Sequence, residues 1–278
     1  MVEDRPEIVV EGAPRARLTN AVREAWVFRA TVRAFAERDI RVKYKQTALG
    51  IVWALIQPLA FMAVFTFTIG RVTNVAHGSV PYAAFTLSAL VPWTFLSTSV
   101  AFGSNAVLAE AAMVRRVYFP REVPVLAAVV GTSVDFAIGL ALFFVIGPFL
   151  GATVSAWWLL SPFLFVLVAA LAVAVATPLA AMNVYYRDFR FAIPFAIQLW
   201  LFASPVAYPL SIVPRAWRPA YVLLNPAAGI IDSFSSVLAR GTSPTWSYLG
   251  ASVLGTVVLA LVGYRIFKRL EPEFADVI

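Results

Sequence analysis

A run of 21 residues, Leu49 to Ile69, contains no charged side chain. As a helix it would span roughly 31 Å at 1.5 Å per residue, the thickness of one bilayer core. Five further apolar runs follow: Tyr82–Gly103, Val123–Phe149, Trp157–Met182, Phe191–Tyr208 and Tyr248–Phe267. None alternates polar and apolar residues as a barrel strand would. Across 278 residues 61% are apolar and 13% charged. A chain of this length cannot hide that much apolar surface in water, which excludes a soluble enzyme, a nucleic-acid-binding module and a disordered chain. There is no Cys, and His77 is the single His, so disulfides, thiolate metal sites and His-built metal centres are excluded. The expected fold class is an all-α membrane protein with six transmembrane helices.

An even number of spans puts both termini on one side. The first 48 residues carry ten Lys/Arg and seven Asp/Glu and have no apolar h-region, so they do not read as a signal peptide. Arg115, Arg116, Arg121, Arg187, Arg190, Arg265, Lys268 and Arg269 fall on the same side, against Arg71, Arg215, Arg218 and Arg240 on the other. This bias predicts cytoplasmic termini.

Segment 21–48 reads as an interfacial amphipathic helix, helical over Ala21–Lys45. Val22, Trp26, Val32, Phe35 and Ile40 share a broad face, and Glu37 and Arg41 form an i,i+4 pair. Arg29 and Arg33 intrude on that face and can snorkel to headgroups. Residues 1–20 read as a disordered cytoplasmic tail, 49–267 as the transmembrane domain and 268–278 as a cytoplasmic C-terminal tail. Between spans five and six, Tyr221–Leu224 and Ala227–Leu238 flank Asn225-Pro226 and are too short to cross. They read as short re-entrant helices or as an amphipathic helix on the outer leaflet.

Several stretches occur in a fixed order: Arg38-Asp39-Ile40, Lys43-Tyr44, Thr47-Ala48-Leu49-Gly50 with Trp53, Gln57-Pro58, Asn183-Val184-Tyr185-Tyr186-Arg187-Asp188, Ser204-Pro205-Val206-Ala207-Tyr208, Asn225-Pro226 and Phe267–Pro272. With the topology above, this pattern resembles the transmembrane subunit of bacterial ABC-2 polysaccharide exporters, over nearly the whole chain. Such exporters carry O-antigen, capsule, teichoic acid or galactan as lipid-linked chains. The resemblance implies a permease in the bacterial plasma membrane. It also implies pairing with a second copy and with two copies of a separate ABC ATPase, which would hold ATP and magnesium. It places a coupling helix in Ser104–Glu122, where Glu110, Met113, Arg115, Arg116, Tyr118, Phe119 and Pro120 would meet the ATPase, and an interface or gating helix in Ala21–Lys45.

The residues themselves agree with a division of labour. A phosphate-cradling loop ends in Gly-Lys-Ser/Thr. Lys43, Lys45 and Lys268 are the only lysines and none follows a Gly, so the chain is expected to be no enzyme and to bind no cofactor. Sugar rings pack their C–H faces on aromatic faces, and a sliding polymer needs many weak contacts. Trp53, Phe61, Phe65, Trp200, Phe202 and Tyr208 in spans one and five are candidates for such a channel, while Trp93, Trp157, Trp158 and Trp246 are expected in interfacial belts. Asp135, the single acid within a span, reads as a substrate-hydroxyl acceptor, a proton relay, or a group hydrogen-bonded near Thr132 or Ser133. Arg38, Arg41, Lys43 and Lys45 are candidates for the phosphates of a lipid linker, or serve as inside anchors. Pro58 and Pro205 are expected to kink spans one and five. The leading expectation is export of a lipid-linked polysaccharide; teichoic acid, a drug or another small lipophilic cargo is the alternative.

Overall fold

The computed structural model describes residues 26–45, 50, 52–72, 80–115, 119–186 and 188–277. The expected tail 1–20, the start of the expected helix 21–48, and Arg116 and Tyr118 lie outside the described residues. In chain order the helices are α1 (Arg29–Lys45), α2 (Val52–Val72), α3 (Tyr82–Ala109), α4 (Ala111–Val114), α5 (Val123–Ile146), α6 (Ser161–Tyr185), α7 (Phe189–Phe202), α8 (Arg218–Leu224), α9 (Pro226–Phe234), α10 (Trp246–Leu270) and α11 (Phe274–Val277). Among the described residues there is no strand. Proline sits in the first turn of α5, α6, α8 and α9, where its missing N–H costs nothing and its fixed φ starts the helix.

Among the described residues, five segments are long and apolar enough to cross a bilayer: Val52–Ile69, Tyr82–Ala109, Val123–Ile146, Ala156–Tyr185 and Trp246–Glu273. The sixth crossing follows from direction. Tyr185, at the end of α6, donates its hydroxyl to the Leu270 carbonyl at the end of α10, 2.9 Å away. The start of α6 lies near the strand of chain that precedes α10, because Trp158 Nε1 donates to Leu238 O at 3.1 Å. So α6 and α10 run parallel, and the chain between them must return. It does so through α7.

Here the expected helix Phe191–Tyr208 is corrected. The helix runs 14 residues, Phe189–Phe202, roughly 21 Å. Pro205 has no N–H to donate and restricts Ser204, so the helix stops ahead of it. Pro205 therefore ends the helix instead of kinking it, and the proline inside α7 is Pro194. The crossing finishes as irregular chain, and Ala207 O accepts the Tyr82 hydroxyl at 2.8 Å, level with the start of α3. The carbonyls freed at the end of α7 find side chains. Phe202 O accepts from Tyr208 at 3.0 Å, and Ala203 O from Tyr221 at 2.6 Å and from Asn225 Nδ2 at 2.8 Å.

The segments α8 and α9, with the π-helical turn Ser235–Arg240, bend by 105° at Asn225. They form the re-entrant pair. Its apex lies against Gly255, nine residues or roughly 14 Å into α10. A Cβ on Gly255 would collide with the Leu223 carbonyl, and one on Gly229 would come within 2.7 Å of Val222 and 2.9 Å of Tyr248 O. Small residues here let backbones approach. The pair returns to its own side at Gly241, whose φ of +64° closes the π turn against Thr153. Every residue of α9 is buried.

The centre of the molecule is α3, packed between α5 and α6 and apolar all round, as a helix enclosed by others must be. Phe136 of α5 stacks on Phe165 of α6 at 4.6 Å and meets Phe95 of α3 at 5.5 Å and Phe234 of α9 at 5.9 Å. In contrast α2 and α7 leave most of their apolar side chains uncovered.

Candidate functional site

The uncovered face holds a groove of about 730 Å³ between α2, α3 and α7. Its lining includes Trp53, Phe61 and Phe65 from α2, Trp93 from α3 and Phe202 from α7. Four of the six expected channel aromatics thus meet in one place. Trp200 stands behind the lining, edge-on to Trp93 at 5.7 Å, with its Nε1 bonded to Asn225 Oδ1 at 2.8 Å. Tyr208 caps the end of α7 as described above. Trp93 is corrected from interfacial belt to groove wall: it is eleven residues into α3 and buried. Gln57, Thr94, Ser97 and Gln198 also line the groove. Of these only Gln57 was singled out by the sequence, for its place beside Pro58.

Asp135 lies elsewhere, about twelve residues or roughly 18 Å from the start of α5. Its carboxylate accepts from the Lys43 ammonium and from the Tyr44 hydroxyl, both at the end of α1. Thr132 and Ser133 instead bond their own helix, and Thr132 also bonds Ser99 at 2.6 Å. Burial first, and the Asp135 carboxylate second, push the Tyr44 hydroxyl well above the usual phenol range. Helix α1 packs along α5 through Val32, Phe35 and Ala36, with Ala36 opposite Gly131.

The other hold on α1 is Arg38, which pairs with Glu110 and, at 2.8 Å, with Asp39. The Glu110 carboxylate is the main cause of the raised Arg38 pKa. Glu110 precedes α4, and Phe119 beyond α4 is buried edge-on against Phe35 at 6.1 Å. Phe119 therefore anchors the chain beyond α4 to α1, while Met113 and Arg115 face outward and Pro120 is half-buried; residues 104–109 of the expected loop continue α3. Arg121 sits over the Phe119 ring at 5.2 Å. Lys268 bridges Glu122 at 2.6 Å and Glu271 at 2.7 Å, tying the C-terminal turn to the same end. Of the four expected phosphate-binding cations, Arg38 and Lys43 are engaged with carboxylates and border a cavity of about 600 Å³ between α1, α3 and α5. Arg41 is exposed and only 3.8 Å from Glu37, and Lys45 is exposed.

Among the described residues, five long apolar spans, the shorter apolar helix α7, a re-entrant pair and an uncovered aromatic groove define a multi-pass α-helical membrane protein. The chain belongs to the ABC-2 type transporter family, which it matches over residues 31–239. It is 28% identical over 258 residues to the O-antigen export system permease protein RfbA of Myxococcus xanthus, covering 92% of this chain and 98% of that protein. It is 25% identical over 244 residues to the RfbA permease of Klebsiella pneumoniae, covering 87% and 92%. It is 21% identical over 249 residues to the polysialic acid transport protein KpsM of Escherichia coli, covering 88% and 95%.

Proposed function

We propose that the chain is the permease of an ATP-driven exporter that moves a lipid-linked polysaccharide out of the cytoplasm across a bacterial plasma membrane. The observation that carries this reading is the aromatic groove on the uncovered face. Its rings supply stacking surfaces along a path without a deep closed pocket, as a sliding chain of sugars requires. Likeness along nearly the whole length to O-antigen export permeases supports the cargo.

A second copy of the chain would cover α2 and α7 and turn two grooves into one channel. Each copy would dock a separate ABC ATPase holding ATP and magnesium. The basic end, with Glu110, Met113, Arg115 and Pro120, supports a docking face, and there the termini would lie in the cytoplasm. Exposed Arg and apolar side chains anchor such contacts. Force delivered at α4 would pass through Arg38 to α1 and so toward α2. Arg41 and Lys45 are the cations best exposed for the linker phosphates.

Deleting the gene in its own bacterium tests the cargo. Surface polysaccharide should vanish while its lipid-linked precursor accumulates inside. Unchanged surface polysaccharide would defeat the proposal.

A further inference from the structure

The groove wall has a second property besides its rings. Among the described residues that line it there is no Asp, Glu, Lys or Arg. Its polar groups are two amides, Gln57 and Gln198, two hydroxyls, Thr94 and Ser97, and the indole N–H groups of Trp53 and Trp93. Both hydroxyl protons are already used within α3: Thr94 donates to Leu90 O at 2.9 Å and Ser97 to Thr94 O at 3.1 Å. Their lone pairs still point to acceptors' work, since a hydroxyl oxygen that has donated its proton can take one from outside. The two glutamines have no partner among the described residues and are exposed on helices whose exposed side chains are mostly apolar. An amide left against hydrocarbon is strongly disfavoured. A groove built this way wants an occupant that offers both donors and acceptors, carries apolar faces for the rings, and has no charge.

We infer that Gln57 and Gln198, with Thr94 and Ser97, form a hydroxyl-reading rung for an uncharged glycan, and that the chain is selective for neutral over polyanionic polymers. This rests on the exporter reading above. Neutral sugar hydroxyls can exchange their water for these amides and oxygens. A carboxylate or phosphate repeat would lose its hydration beside a wall with no cation to replace it. The groove thus discriminates against a chain such as polysialic acid, even though a polysialic acid transport protein is among the relatives.

The chain has no Cys, so a single Gln57→Cys or Gln198→Cys can be followed with a charged, membrane-impermeant methanethiosulfonate in whole cells carrying the ATPase partner. Both thiols should react when glycan synthesis is off and react at least several-fold more slowly during export of a neutral glycan. Thiols that never react, because lipid or a second copy covers them, would overturn the rung, as would equal rates in both states. In parallel, Gln57→Ala/Gln198→Ala should reduce neutral-glycan export about tenfold. Wild-type export of an acidic repeat at the neutral rate would overturn the selectivity. Failure of the exporter reading is separate: it is surface glycan that persists when the gene is deleted.

Discussion

At residue scale, Asp135 and its two partners make the clearest energetic statement. An ionised carboxylate inside an apolar helix must be answered by a cation or a strong donor, and α1 supplies both in consecutive residues. The two halves of the pair are not equivalent. Lys43→Met leaves the carboxylate, 19% exposed, without its cation, whereas Asp135→Asn leaves an ammonium that is 41% exposed and an amide that still accepts from Tyr44. Lys43→Met should therefore destabilise the purified protein by roughly 1–3 kcal/mol and Asp135→Asn by less, read as shifts in thermal unfolding in detergent. Equal losses would count against this difference between the two halves. Tyr44 adds a pH dependence of fixed sign. Its hydroxyl stays protonated in the folded protein beyond the ordinary value of 10.0, so above that pH the unfolded chain alone gives up a proton and stability falls. Tyr44→Phe should flatten part of that fall in unfolding curves taken on either side of pH 10.

At the scale of elements, the re-entrant pair is held by one side chain and two missing ones. Asn225 joins Trp200, Ala203 and Ser204 across the apex, and Gly229 and Gly255 let the pair nest on α10. Gly255→Val would drive a branched side chain into the Leu223 backbone, which cannot move aside as a flexible side chain would. A loss of about 1–3 kcal/mol is expected, with lower yield of folded protein on size exclusion. Asn225→Ala should loosen Trp200 and change tryptophan fluorescence before it changes helix content by circular dichroism. The long spans were legible in the sequence because hydropathy is a local property, and the pair around Asn225-Pro226 because neither arm is long enough to cross. The early end of α7 was not. Pro205 by itself reads as a kink or as a stop, and the groups that satisfy the carbonyls at the helix end come from Tyr208, Tyr221 and Asn225. That aromatics of α2 gather in one place was legible, yet the part of Trp93 and Gln198 in the same groove was not, since it depends on how three helices cross. Asp135 was flagged by its cost alone; its partners stand about ninety residues away in sequence.

For the whole molecule, the asymmetry between a covered side and an uncovered one is the dominant feature. Single Cys residues on the open face of α2 outside the groove lining, for example Phe67→Cys, are expected to form a disulfide-linked dimer in membranes under mild oxidation, and Val237→Cys, buried in the π turn, is not. Equal cross-linking at both sites, or none at position 67, would count against pairing through the uncovered face. Chain order carries a further implication for biogenesis. Lys43 leaves the ribosome 92 residues ahead of Asp135, so when the acidic span is handed to the membrane its counter-charge has already been made and is waiting beside it. A chain that begins after α1 would have to insert that span with its acid unanswered, and it is at this step, before any transport, that loss of α1 would first be felt.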